Sequence, residues 1–115
     1  MNKIESIEEF DQFLASSNEE PLLLFKHSTR CPISTTALRE YEAFLDHQGE
    51  AGRRHAYLDI IAFRDVSNAV AERSGVRHES PQALLFENGT ARWNDSHGRI
   101  TKESLLAAIA GSAAS

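Results

Sequence analysis

Four consecutive apolar residues, Leu22 to Phe25, follow Pro21 in the run PLLLFKH. A short unbroken run of this kind, with no polar alternation, reads as a strand buried on both faces. Such a strand needs a covering layer on each side, so the neighbouring segments have to supply helices to both faces of a sheet.

The rest of the chain supplies them. In SIEEFDQFLASS, Ile7, Phe10, Phe13 and Leu14 recur at helical spacing, with Ser6 and Glu9 placed as a capping box. From Cys31 to Leu45 a second stripe is formed by Ile33, Ala37, Leu38, Tyr41, Phe44 and Leu45, and GEAGRR breaks it. HAYLDII reads as a second strand. DVSNAVAERSGV reads as a short helix, with Asp65 as its N-cap, Val66, Ala69 and Val70 inward, and Gly75 as its stop. In PQALLFENGTARWND, Asn88-Gly89 predicts a type I′ turn between two antiparallel strands. The last helix is ITKESLLAAIA, capped by Thr101, with Ile100 and Leu105 as a hydrophobic staple.

The expected order is therefore α-β-α-β-α-β-β-α: an α/β fold with a mixed four-stranded sheet and helices on both faces, compatible with the thioredoxin fold. With 115 residues, the chain is expected to form a single domain, residues 1–115, with a frayed tail over about 111–115. Its formal net charge of -5 argues against nucleic acid as the main partner, because phosphate binding needs a basic stripe. No apolar run approaches a membrane span, and the acidic N-terminus does not resemble a secretory signal. One cysteine and no export signal predict a cytoplasmic protein whose sulfur chemistry is intermolecular.

That cysteine, Cys31, falls where the first strand gives way to a helix, in FKHSTRCPIS. Pro32 suits a first helical turn. Free backbone N–H groups and the positive end of the helix would favour thiolate over thiol, with Lys26, His27 and Arg30 nearby in sequence. Ser34 stands where a dithiol oxidoreductase carries its second cysteine. Its hydroxyl can donate to the sulfur but cannot attack a disulfide. The alternative is a structural cysteine, although the polar neighbours His27, Ser28, Thr29 and Arg30 do not form the apolar stripe such a residue occupies.

The second candidate segment is VRHESPQALLF. In a thioredoxin-like domain, Pro81 occupies the position of a cis-proline facing the active cysteine, and Ser80 presents its backbone groups to a bound thiol substrate. An ordinary trans proline at a strand start is equally compatible with the local sequence. The five histidines form no tight ligand pair with one another or with Cys31, so no metal site is expected.

The blocks LLLFKHSTRCPIS, HESPQALLFENG and WNDSHGRIT resemble, in order and spacing, those of the monothiol bacilliredoxins, the YtxJ-like family of the bacillithiol system. The match runs from about Pro21 to Leu106. The resemblance implies a thioredoxin-like fold and one active cysteine, carried over to Cys31, with Ser80 and Pro81 in the second block. It implies a thiol–disulfide oxidoreductase that removes bacillithiol from protein mixed disulfides. Bacillithiolated proteins and bacillithiol would be its partners, bacillithiol its thiol co-substrate, and no cofactor would be tightly bound. Bacillithiol carries a malate, and Lys26, His27, Arg30, Arg77 and His78 could form a basic rim that reads it; each could equally be an ordinary surface charge. Trp93 is expected to pack in the core, and His97-Gly98 to turn the chain. Two other functions fit a C-x-x-S site: an iron–sulfur cluster carrier of the monothiol-glutaredoxin type, and a non-catalytic thioredoxin-like interaction module.

Overall fold

The computed structural model describes residues 2–48 and 55–111. The elements follow in the expected order: α1 (Ile7–Ser16), β1 (Leu22–His27), α2 (Pro32–Gln48), β2 (His55–Asp59), α3 (Arg64–Ser74), β3 (Gln82–Glu87), β4 (Thr90–Ser96), a 3-10 turn (His97–Arg99) and α4 (Lys102–Ala110). The break expected at GEAGRR and the frayed tail beyond Gly111 lie outside the described residues.

The four strands lie side by side as β2-β1-β3-β4. β1 runs parallel to β2 and antiparallel to β3, and β3 pairs antiparallel with β4. Every residue of β1 and of β3 is buried. Side chains alternate between faces, so Leu22 and Leu24 enter one core with Phe10, Phe13, Val66 and Val70 of α1 and α3. Leu23 and Phe25 enter the other, with Ala37, Tyr41 and Phe44 of α2 and Leu105 and Ala108 of α4. Trp93 is half-buried against this second core.

Local signals hold at most element ends. Asn88 and Gly89 have φ of 52° and 74°, as a type I′ turn needs, and Gly75 ends α3 at φ 71°. Thr101 and Ser104 form a reciprocal capping box on α4, and Ile100 and Leu105 lie in the same core.

Four local expectations are corrected. Ser6 Oγ accepts from Glu9 N at 3.0 Å, but the Glu9 carboxylate reaches back to Glu5 N and not to the cap residue. Asp65 does not cap α3; it lies inside the first turn, and Phe63 precedes the helix with no side-chain cap. The Asp59 carboxylate accepts from Ile61 N and Ala62 N instead, so a turn ends β2 at Asp59, before the expected Ile60 and Ile61. Ile33 is 53% exposed. The inward face of α2 runs through Ser34, Ala37, Tyr41 and Phe44, a phase that turns Ile33 to solvent.

This packing makes a contrast that can be measured. Leu84→Ala, at a fully buried position, should lower the unfolding free energy by about 2–5 kcal/mol. Ile33→Ala should stay within about 0.5 kcal/mol of the parent. Urea unfolding of the two variants checks both values and the phase of α2.

Candidate active site at the C-terminal end of β1

β1 and β3 are antiparallel, so the end of one and the start of the other share an edge of the sheet. Their last register pair is Lys26 with Gln82. One step further on are His27 and Pro81, and beyond them the chain leads to Cys31 on one side and comes from Ser80 on the other. The two sequence segments singled out for chemistry thus meet at one end of the sheet, and the Ser80–Pro81 bond is cis.

Cys31 is half-buried and sits immediately before α2. Its N–H bonds Ser28 O at 3.3 Å, and its carbonyl accepts from Ser34 N at 3.0 Å and Thr35 N at 3.2 Å. Cys31 is therefore the hinge residue of a tight loop whose next residue, Pro32, is exposed and opens the helix.

Ser34 has a different place from the one expected. It is fully buried, its Oγ accepts from Ser28 N at 2.9 Å and lies 3.0 Å from His27 Nδ1. Among the described residues no hydrogen bond joins it to the Cys31 sulfur. The hydroxyl is directed to the loop backbone because Ser28 N would otherwise be a buried, unpaired donor. Ser34 supports the geometry of the cysteine loop rather than the sulfur directly.

The rim is also smaller than expected. Lys26 and His27 are buried, because strand alternation sends one side chain to each face of β1. His27 packs between Phe25 and Tyr57, with ring centroids 6.0 and 5.7 Å away. Burial pushes its pKa down, the contact with Ser34 and the charge of Asp59 opposing. Lys26 Nζ reaches His78 Nδ1 at 2.7 Å and Gln82 Oε1 at 2.9 Å, and burial lowers its pKa to about 8, with Glu79 opposing. Arg30, Arg77 and His78 are exposed. Pro81 is buried, and the Ser80 hydroxyl is buried without a hydrogen-bond partner.

Gln82 and Glu79 were not singled out, and His97 was expected only to turn the chain, which it does. Gln82 holds Arg77 O through Nε2 at 3.0 Å. His97, at φ 54°, donates its N–H to Pro81 O at 3.0 Å and sets its Nε2 3.4 Å from a carboxylate oxygen of Glu79. Glu79 brings an acidic group into the expected basic rim. The pairing of a lysine and a glutamine at the ends of two apolar runs, PLLLFK and QALLF, was the available signal for Gln82.

A thioredoxin-like sheet with one cysteine at the start of α2 and a cis-proline at the same end of the sheet defines a class: thiol–disulfide oxidoreductases that work with a single sulfur. Comparison with known proteins agrees. Residues 2–105 match the family model described as monothiol bacilliredoxin BrxC, and the chain belongs to that family. It is similar to a solved structure provisionally described as an oxidoreductase with a thioredoxin fold, with 37% identity, 93% of this chain and 91% of that one covered, and a TM-score of 0.82. The fold is shared with the thioredoxins of Plasmodium falciparum (14% identity, 98% and 100% covered, TM-score 0.75) and Malassezia sympodialis (20% identity, 96% and 88% covered, TM-score 0.71). The protein is a thiol–disulfide oxidoreductase of the bacilliredoxin type.

Two measurements check the site. Ser34→Ala strands a buried Ser28 N–H and should cost about 1–3 kcal/mol of stability, read by urea unfolding. Lys26 gives a pH signature. Its folded-state pKa, about 8, lies below the ordinary 10.5. Between these values the unfolded chain holds more protons, so stability rises with pH. The unfolding midpoint should increase from pH 8 to pH 10, and Lys26→Met should flatten that rise. Tyr41 and Tyr57, whose burial resists ionisation beyond the ordinary 10.0, act in the opposite sense as pH reaches 10 and above, so the rise is steepest between about pH 8 and 9.

Proposed function

We propose that the protein removes bacillithiol from protein mixed disulfides. Support comes chiefly from the placement of Cys31. It is the only cysteine, it is half-buried at a helix start, and the residue one turn on, Ser34, carries no sulfur.

In the first step the Cys31 thiolate attacks the bacillithiol sulfur of the mixed disulfide. A bond forms between Cys31 and bacillithiol, the bond to the target sulfur breaks, and the target leaves as a thiolate that takes a proton from solvent. In the second step a free bacillithiol attacks the bacillithiol sulfur on Cys31, releasing bacillithiol disulfide and the Cys31 thiolate. The first step is a thiol–disulfide exchange in which the oxidising equivalent moves onto Cys31, and the second moves it into solution. Neither step calls for a metal or a tightly bound cofactor. Bacillithiolated proteins and bacillithiol are the proposed partners, and a reducing cytoplasm is the setting in which a single free thiol stays active.

The cis-proline segment faces the same end of the sheet. Ser80 backbone groups are proposed to pair with the substrate chain, as an added strand would. Exposed Arg77, His78 and Arg30 are proposed to meet the malate carboxylates of bacillithiol.

Intact mass spectrometry after incubation with bacillithiol disulfide, and separately with glutathione disulfide, tests this reading. One bacillithiol adduct on the wild type and none on Cys31→Ala is the expected result. Equal adduct formation with glutathione would overturn the assignment of the thiol, and no adduct with either would overturn the chemistry. Arg77→Ala should slow exchange with bacillithiol disulfide more than with hydroxyethyl disulfide.

A further inference from the structure

A buried lysine with no carboxylate in hydrogen-bonding reach is costly, and an apolar side chain of similar length would fill the same space more favourably. Lys26 is 0% exposed, and its Nζ bonds His78 Nδ1 and Gln82 Oε1. Both belong to the segment that leads into, or immediately follows, the cis-proline.

The sense of the bonds in this cluster follows from one backbone carbonyl and from the lysine ammonium. Arg77 O can only accept, so the Gln82 nitrogen 3.0 Å away is the donor. The other end of that amide, Oε1, must then accept from Lys26 Nζ. A lysine ammonium has three donors and no acceptor. The ring nitrogen 2.7 Å from it, His78 Nδ1, therefore carries a lone pair. Ser67 Oγ, 3.4 Å from the same nitrogen, can donate in the same sense. The neutral His78 ring is thus left with its proton on Nε2, at an exposed position, and no hydrogen bond to Nε2 is found among the described residues. Burial, Lys26 and Arg64 all lower the His78 pKa, with Glu79 opposing, which keeps the ring neutral.

We propose that Lys26 is a positioning residue that fixes the tautomer and orientation of His78, so that His78 Nε2–H serves as the hydrogen-bond donor for a carboxylate on the low-molecular-weight thiol. The substrate class is an anionic thiol carrying a carboxylate. The inference rests on the reading of Cys31 as the exchange centre, and it adds a division of labour within the expected rim. His78 touches the ligand, while Lys26 acts through it from below. A donor backed by a buried cation selects an anionic acceptor over a neutral one, whereas a ring free to rotate presents either nitrogen.

The test uses two disulfides, 3,3′-dithiodipropionate, which carries carboxylates, and hydroxyethyl disulfide, which is neutral. Lys26→Met should slow Cys31 exchange with dithiodipropionate about tenfold more than it slows exchange with hydroxyethyl disulfide, the scale of one charge-assisted hydrogen bond. His78→Ala should do the same, and the double variant should be no slower than His78→Ala alone, because Lys26 has nothing left to act through. Ring nitrogen NMR of the wild type should show Nδ1 unprotonated and Nε2 protonated, and in Lys26→Met the His78 titration midpoint should move up. Equal losses on both disulfides, a further loss in the double variant, or a proton on Nδ1 in the wild type would each overturn the proposal. If wild-type Cys31 exchanges with neither disulfide, the functional reading falls instead. The role of Lys26 is then decided by the tautomer and by whether dithiodipropionate shifts the His78 Nε2–H resonance.

Discussion

β1 is enclosed from every side. β2 and β3 flank it in the sheet, α1 and α3 cover one face, and α2 and α4 cover the other. Nothing at its C-terminal end can be left polar without a partner, yet that is where the chain places Lys26, His27 and Ser28, all buried. Strand alternation then forces a division. Lys26 goes to the α3 side and bonds the segment that carries His78. His27 goes to the α2 side and meets Ser34, which holds Ser28 N. One two-residue step in a buried strand therefore supports both loops of the site, each from a different core.

This arrangement ties site geometry to fold stability. The cysteine loop is held through Ser34, and the cis-proline segment through Lys26, Gln82 and His97. Loss of any one of these leaves a buried donor or acceptor unpaired, a cost carried by the loop it supports. The histidines follow the same logic. Burial lowers the pKa of His27, His55 and His78, so each is held neutral. The neutral imidazoles then act as directional donors and acceptors rather than as cations, and positive charge at the surface of this edge is carried by arginines, Arg30, Arg64 and Arg77.

The order of elements and the hairpin at Asn88-Gly89 were legible because each depends on local signals, period and turn chemistry. The cysteine and its helix start were legible for the same reason. The cis bond before Pro81 was legible only from the pairing of the CPIS segment with a Ser-Pro step ahead of a hairpin, since the local sequence allows trans equally. What failed was the direction of side chains. Ile33 and Ser34 are both compatible with a stripe that includes Ala37, and only the packing of α2 on the sheet sets which one turns inward. Lys26 and His27 looked like rim cations because the sequence records charge and not burial. Yet PLLLFKH was read as a strand buried on both faces, and that reading already placed both side chains under the surface. The Ser34 hydroxyl was assigned to the sulfur because the spacing suits it; the backbone N–H of Ser28, six residues away, was the stronger claimant.

Replacing a second cysteine with Ser34 has a structural consequence beyond the loss of a resolving thiol. A thiol at this position would make a weak hydrogen bond at best to Ser28 N and His27, whereas a hydroxyl bonds both. The residue that removes self-resolution is thus the one that stiffens the cysteine loop. An adduct on Cys31 persists until an outside thiol arrives, and during that time its identity is open to selection. In the proposed function, selection rests with groups that can touch the adduct without moving the sulfur, and the segment from Arg77 to Ser80, across the sheet edge, is proposed to supply them. The cysteine loop and the proposed recognition segment accordingly extend from separate strands, joined at the pair of Lys26 with Gln82.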